Sequence, residues 1–217
     1  MERAEALLRI RELTRKDLRP LADHYNITVW KDGKKNKGWA GHVIERYLGL
    51  PLNSSPAPNF GSWELKVVPL KYDRNRVLKV KETMAITMLD PVEVLAKDFE
   101  DSHLYTKLRK QIVVSRIFED VNETSAILHA AAEFDLDNPY ILAQVKADYE
   151  TVRVALQTSG FSSLTGKMGV LVQPRTKGAG HGSTSRAFYA RTTFVAHILN
   201  IATWSGMPAV VPEEDSA

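Results

Sequence analysis

Glu64-Leu65-Lys66 carries an acid and an amine two positions apart, followed by the apolar pair Val67-Val68. Strand side chains alternate with a period of two, so a strand through this stretch points Glu64 and Lys66 to one face. An acid and a lysine side by side on a rigid strand suit a divalent ion and an activated water. The triplet alone is a weak signal, because charged pairs two apart on a strand are usually a solvated face. Around it stand Glu45, Asn59 and Lys107, together with a glycine-rich basic loop from Pro174 to Arg186. Phosphodiester hydrolysis needs a nucleophilic water, charge compensation on a phosphorane-like state and help for the leaving oxygen. Carboxylates hold Mg²⁺, a hard ion that prefers oxygen ligands. One lysine can orient or deprotonate the water, and a second can stabilise the scissile phosphate. These residue types fit metal-dependent cleavage of nucleic acid.

The elements that must position them follow from periodicity and turn chemistry. Helices are expected over 3–12 and 15–25, with Thr14 capping the second, Asp17 at its third position and Pro20 in its interior. Such a pair near a terminus could be a DNA-reading helix-turn-helix, although simple packing is commoner. Lys31 to Gly38 sets four lysines around an Asp-Gly turn. Trp39, Val43 and Tyr47 give a helix to Leu48 its core stripe, and Gly49 stops it. Glu45 lies off that stripe and could project toward Glu64, or pair with Arg46 or water. Residues 51–60 read as a loop. Strands are expected over 63–68, 76–81 and 83–89, the last two close enough to form one long bent strand, and a helix over 91–97. The basic segment Ser102 to Lys110 leads into a buried strand over 111–118. Residues 125–134 favour strand over helix, and Asn138-Pro139 opens a helix to Thr158. A strand over 167–173, the basic loop and a helix from Thr192 to Ala202 complete the chain.

Composition narrows the classes. The 217 residues are 44% apolar and 25% charged with a net charge of +3, normal for a globular protein. There is no cysteine, which excludes disulfides and thiolate metal sites and fits a reducing cytoplasm. No apolar run approaches a membrane span, and the first residues do not form a signal peptide. From Thr151 to Pro212 there is no Asp or Glu and there are six Lys or Arg. An acid-free region beside a balanced body reads as a contact surface for a polyanion, or more plainly as a neutral core segment carrying a few basic residues.

Several blocks in order resemble the MutH and MvaI/BcnI group within the PD-(D/E)xK nuclease superfamily. They are Lys37-Gly38-Trp39-Ala40-Gly41 with Ile44-Glu45-Arg46-Tyr47-Leu48-Gly49; Asn59-x4-Glu64-x-Lys66; Ser102-His103 through Lys107-Leu108; and Arg186-Ala187-Phe188-Tyr189 leading to Phe194 and His197. The resemblance implies an α/β (α+β) fold, with a central mixed sheet flanked by helices and a DNA-binding cleft. It implies one nuclease domain, divisible into a catalytic lobe over about 1–110 and a lobe of sheet, helix and recognition loop over about 111–206, with a flexible tail over 207–217. It also implies roles. Glu64, residue 59 and the Leu65 carbonyl would bind Mg²⁺, Lys66 would activate water, Lys107 would contact phosphate, and Glu45 would support Lys66 or the metal shell. Lys37, His103, Arg175, Lys177, His181, Arg186 and Tyr189 are the DNA-binding candidates. Arg175 or Arg186 is suited to a bidentate contact with guanine.

The departure is Asn59, where the pattern calls for aspartate. An amide loses the negative charge that helps to hold the metal. An Asp-to-Asn change introduced to keep substrate intact would leave this residue, and so would a natural protein that binds without cutting or cuts poorly. The expected activity is a Mg²⁺-dependent type II restriction endonuclease acting on double-stranded DNA, as a monomer or homodimer in the cytoplasm. The alternatives are a mismatch-repair nicking endonuclease and a non-cleaving DNA-binding module.

Overall fold

A computed structural model describes residues 1–49, 61–177 and 185–207. The order of elements is α1 (Arg3–Arg11), α2 (Arg19–His24), a hairpin of β1 (Trp30–Lys31) and β2 (Lys34–Lys35), α3 (Trp39–Tyr47), β3 (Glu64–Tyr72), β4 (Leu78–Val80) and β5 (Met84–Met88). Then follow α4 (Pro91–Ala96), α5 (His103–Leu108), β6 (Lys110–Ile117), β7 (Leu128–Asp135), α6 (Pro139–Ser159), β8 (Val172–Thr176), β9 (Arg186–Ala190) and α7 (Thr192–Ile198). The architecture is mixed α/β: a central mixed sheet flanked by helices, with a second, smaller sheet.

The central sheet has the order β4-β3-β6-β7. β3 and β6 run parallel, from Glu64 opposite Gln111 to Leu70 opposite Ile117. β4 and β7 pair antiparallel on either side. Every residue of β6 from Gln111 to Arg116 is buried, as suits a strand covered on both faces. Alternation then sorts the apolar residues into two cores. Leu65, Ile112 and Val114 join α1 and α3 in one. Val68, Leu70 and Val113 join Val145 and Tyr149 of α6, Phe188 and Phe194 in the other. Glu64 and Lys66 share the parity of Val68 and Leu70, so they project into the α6 side. The second sheet, β5-β9-β8, is antiparallel and packs on that side.

Several expectations need correction. β4 and β5 are not one bent strand; they belong to different sheets. Thr14 does not cap α2, which begins at Arg19 with Pro20 in its first turn. Asp17 instead accepts from the backbone N–H of Arg19 at 3.0 Å and of Ala126 at 2.8 Å, tying the helix to the entry of β7. The basic segment after Ser102, for which no element was expected, is a helix, α5, whose cap is the Ser102 hydroxyl accepting from Tyr105 N–H at 3.1 Å. β8 starts five residues later than expected, because residues 165–171 form a turn with Gly169 at φ +73°. α7 ends at Ile198 rather than Ala202, with Asn200 at φ +55°.

Candidate active site

Two elements deliver the central charges. β3 starts at Glu64, which is 3% exposed, and sends Lys66 to the same face. α5 leads directly into β6, and Lys107 in its last turn points back toward the start of β3. Lys66 Nζ lies 2.9 Å from Glu64 Oε1, and Lys107 Nζ lies 3.0 Å from Glu64 Oε2. One carboxylate therefore serves two ammonium groups. Lys66 also donates to the carbonyl of Ile86 at 3.3 Å. Ile86 falls in the bulge of β5, where the pairing with β9 shifts between Ala85 and Thr87. A bulge leaves its extra residue out of the ladder, and that freed carbonyl steadies the lysine.

Gln111 is a supporting residue that the sequence reading passed over. It lies opposite Glu64 in the β3–β6 register, is fully buried, and donates from Nε2 to the Lys107 carbonyl at 2.8 Å. Its signal was a lone polar residue opening an apolar strand, a pattern too common to stand out. Its Oε1 is buried without a partner.

The other candidates are placed by the elements that carry them. Glu45 is half-buried on α3, the helix packed on the other face of β3. Lys37 is exposed just ahead of α3. Trp39, two residues on, stacks under Arg116 at 5.4 Å, toward the opposite end of β6 and about 16 Å along the strand from the level of Glu64. His103 opens α5 one turn before Lys107, with its backbone N–H 2.8 Å from Glu93 Oε1. Asn59 and His181 lie outside the described residues.

The small sheet presents the remaining basic groups. Gln173, Arg175 and Lys177 alternate onto one face with Tyr189, while Arg186 goes with Phe188 to the other. The Arg175 guanidinium sits 5.9 Å from the Tyr189 ring and donates to Thr83 Oγ1 at 3.0 Å. Burial pushes the Tyr189 hydroxyl above its ordinary range despite that cation. Desolvation, and then the like charge of Lys66, holds the Lys177 ammonium below the usual lysine range, so the basic ribbon comes within electrostatic reach of the trio.

Glu64 and the Leu65 carbonyl offer oxygen donors, and both Glu64 oxygens are already paired with cations. Among the described residues no group of three His, Asp or Glu gathers to hold a metal. The donor set fits an ion of the Mg²⁺ type, which is commonly held by one or two carboxylates and completed by water and substrate phosphate. It does not fit a closed structural site. No helix among the described residues is long and apolar enough to cross a membrane.

Comparison with known proteins points to one family. The family model described as DNA mismatch repair enzyme MutH matches residues 48–133, which include β3, α5 and β6. The DNA mismatch repair protein MutH of Vibrio cholerae serotype O1 (strain M66-2) is 28% identical over 211 residues, spanning 90% of this chain and 94% of the relative. MutH of Vibrio vulnificus (strain YJ016) is 27% identical over 222 residues, 92% and 93% of the two chains. MutH of Shewanella sp. (strain MR-4) is 27% identical over 216 residues, 91% and 94%. The chain is thus similar to MutH proteins over nearly its whole length, and its central mixed sheet flanked by helices is consistent with a MutH-like fold.

Proposed function

We propose that this MutH-like chain is an endonuclease that hydrolyses phosphodiester bonds in double-stranded DNA with a divalent metal ion. One observation carries the reading: lysines from two different elements, Lys66 and Lys107, close on the two oxygens of the buried Glu64 carboxylate. Two ammonium groups at one carboxylate suit the charge that develops on a reacting phosphate. Lys66 orients or deprotonates the attacking water, and Lys107 contacts the scissile phosphate. Glu45 supports the cluster from α3. Glu64, the Leu65 carbonyl and residue 59 would hold Mg²⁺, which when bound polarises a phosphate oxygen and acidifies a water. Attack on phosphorus breaks the P–O3′ bond and leaves 5′-phosphate and 3′-hydroxyl ends. Arg175, Lys177 and Tyr189 meet the bases, while Lys37, His103, His181 and Arg186 serve the backbone.

The matched relatives are named mismatch repair proteins, which favours a strand-nicking enzyme over the type II restriction enzyme expected from the sequence. A nick needs one active site, which a monomer supplies; a double-strand break needs two sites or two successive events. Asn59 supplies no negative charge, so the chain as it stands is expected to cut slowly.

Supercoiled plasmid incubated with Mg²⁺ and either the Asn59 chain or Asn59→Asp tests the reading. Open circles that accumulate faster with Asn59→Asp support nicking, and linear plasmid as the first product supports restriction. Duplex binding with no cleavage by Asn59→Asp in Mg²⁺ or Mn²⁺ would leave a non-cleaving DNA-binding module.

A further inference from the structure

We propose that the concavity at the outer end of β8 holds a DNA backbone phosphate, with Arg186 as its cation and the Ser162 and Thr165 hydroxyls as its neutral donors. The proposal rests on the DNA-binding reading above and adds a subsite to it. The concavity, about 500 Å³, is lined by Ser162, Thr165, Gly166, Arg175, Thr176 and Arg186. Only one of its two arginines brings charge there. The Arg175 head crosses to Thr83, and its aliphatic stem forms the wall, with Cγ 3.5 Å from where a Cβ on Gly166 would stand.

Arg186 is built differently. Its guanidinium lies 5.5 Å from the Phe161 ring and donates from one terminal nitrogen to Thr176 Oγ1 at 3.1 Å. Its Nε is buried with no partner. Among the described residues Arg186 forms no ion pair, and no acid occurs anywhere between Thr151 and Pro212. A planar cation held by an aromatic face and a hydroxyl, with donors to spare and no counter-charge, is prepared for a phosphate or carboxylate. The exposed hydroxyls of Ser162 and Thr165 complete the mixture of donors that backbone phosphates commonly meet. Arg186 also stands on the face of the ribbon opposite Arg175, Lys177 and Tyr189. The two arginines therefore divide the work: Arg175 belongs with the bases, and Arg186 with the backbone.

The test is binding of the full chain to a 20-base-pair duplex of arbitrary sequence, followed by fluorescence anisotropy across a salt series. Arg186→Met, which keeps the stem over Phe161, is expected to flatten the slope of log affinity against log salt by about 0.9, the release of one phosphate's counterions. The loss should be equal on duplexes of different sequence. Ser162→Ala/Thr165→Ala, changes at exposed positions, should weaken binding several-fold with the slope kept. Inorganic phosphate at matched ionic strength should compete no better than chloride. An unchanged slope in a folded Arg186→Met protein, a loss that depends on sequence, or strong competition by free phosphate overturns the subsite alone. Absence of duplex binding by the unaltered chain overturns the DNA reading with it.

Discussion

Lys66 donates to the carbonyl of Ile86, 3.3 Å away in the other sheet. The central sheet supplies the amine and the small sheet supplies its acceptor. The ribbon that carries Arg175 and Tyr189 is thus joined through the β5 bulge to the lysine beside Glu64. Tyr189 pairs with Ala85 at the edge of that bulge, so a displacement of β9 on meeting DNA would be felt at Lys66 Nζ.

Lys66 is expected to matter for turnover and not for affinity. In the Asn59→Asp background, Lys66→Met should slow cleavage by about 10²–10⁴, the usual worth of a positioned proton-transfer group. Duplex affinity should stay within a few-fold. Single-turnover cleavage measured beside anisotropy checks this. Cleavage retained at the Asn59→Asp rate removes Lys66 from the chemistry.

Glu64 is the shared counter-charge of two ammonium groups in a nearly closed site. Glu64→Gln removes the carboxylate charge that both ammonium groups share, and breaking a buried pair costs about 3–5 kcal/mol. Adding Lys107→Met removes one of the two ammonium groups that shared it, so the double variant should be more stable than Glu64→Gln alone. Urea denaturation of the three proteins measures the coupling. DNA affinity in the absence of metal should rise for Glu64→Gln, since a carboxylate no longer faces phosphate. Additive losses of stability would mean that the lysines do not depend on Glu64.

The strand through Glu64 and the pairing of Glu64 with Lys66 were legible in the sequence, because period-two alternation is a local rule. The helix Trp39–Tyr47 was legible because its stripe and its glycine stop are local too. The bulge at Ile86 was not legible: nothing in Met84-Ala85-Ile86-Thr87-Met88 marks an extra residue, and the shift exists only against β9. The assignment of β4 and β5 to separate sheets was hidden for the same reason. The late start of β8 depends on Asp148, twenty-four residues before Val172, which no local pattern connects to it.

Acid sensitivity should centre on Glu123. It is 1% exposed, accepts two bonds from Arg116 at 2.6 and 2.9 Å, and pairs with Lys35. Desolvation pushes its carboxyl up, but the bonds from Arg116 and Lys35 outweigh it, and the net direction is below the usual carboxylate value of 4.5. A carboxylate depressed in the folded state stabilises above its unfolded value, and that stability is lost as pH falls through the folded one. The melting temperature should therefore fall as pH drops below about 4.5, and Glu123→Gln should weaken that dependence. At neutral pH the same variant should lose about 3–5 kcal/mol, because Arg116 stays buried without its partner. A pH-melting curve of unaltered shape in Glu123→Gln would assign the acid transition to other groups.

The ribbon's position rests on a clamp away from any substrate. Asp148, 2% exposed on α6, accepts from the backbone N–H groups of Val170 at 2.8 Å and of Leu171 and Val172 at 2.7 Å, and from Gln144 at 2.9 Å. From the other side Arg191 donates to the carbonyls of Gly166, Met168 and Gly169. Gly169 has φ +73°, and a Cβ there would stand 1.9 Å from the Val172 carbonyl oxygen. Asp148→Asn removes the charge and turns one acceptor into a donor facing N–H groups, an expected loss of about 3 kcal/mol at bonds worth 1.5–3 each. That corresponds to about 6–12 °C of melting temperature for a chain of this size. Gly169→Ala should cost at least as much, since left-handed backbone strain adds to a backbone clash. Arg175 and Lys177 hang from the strand that this turn starts, so both variants should bind duplex DNA more weakly even where they remain folded. Asp148→Asn with an unchanged melting temperature and unchanged DNA affinity would mean that β8 holds its register without the clamp, through its ladder with β9 alone.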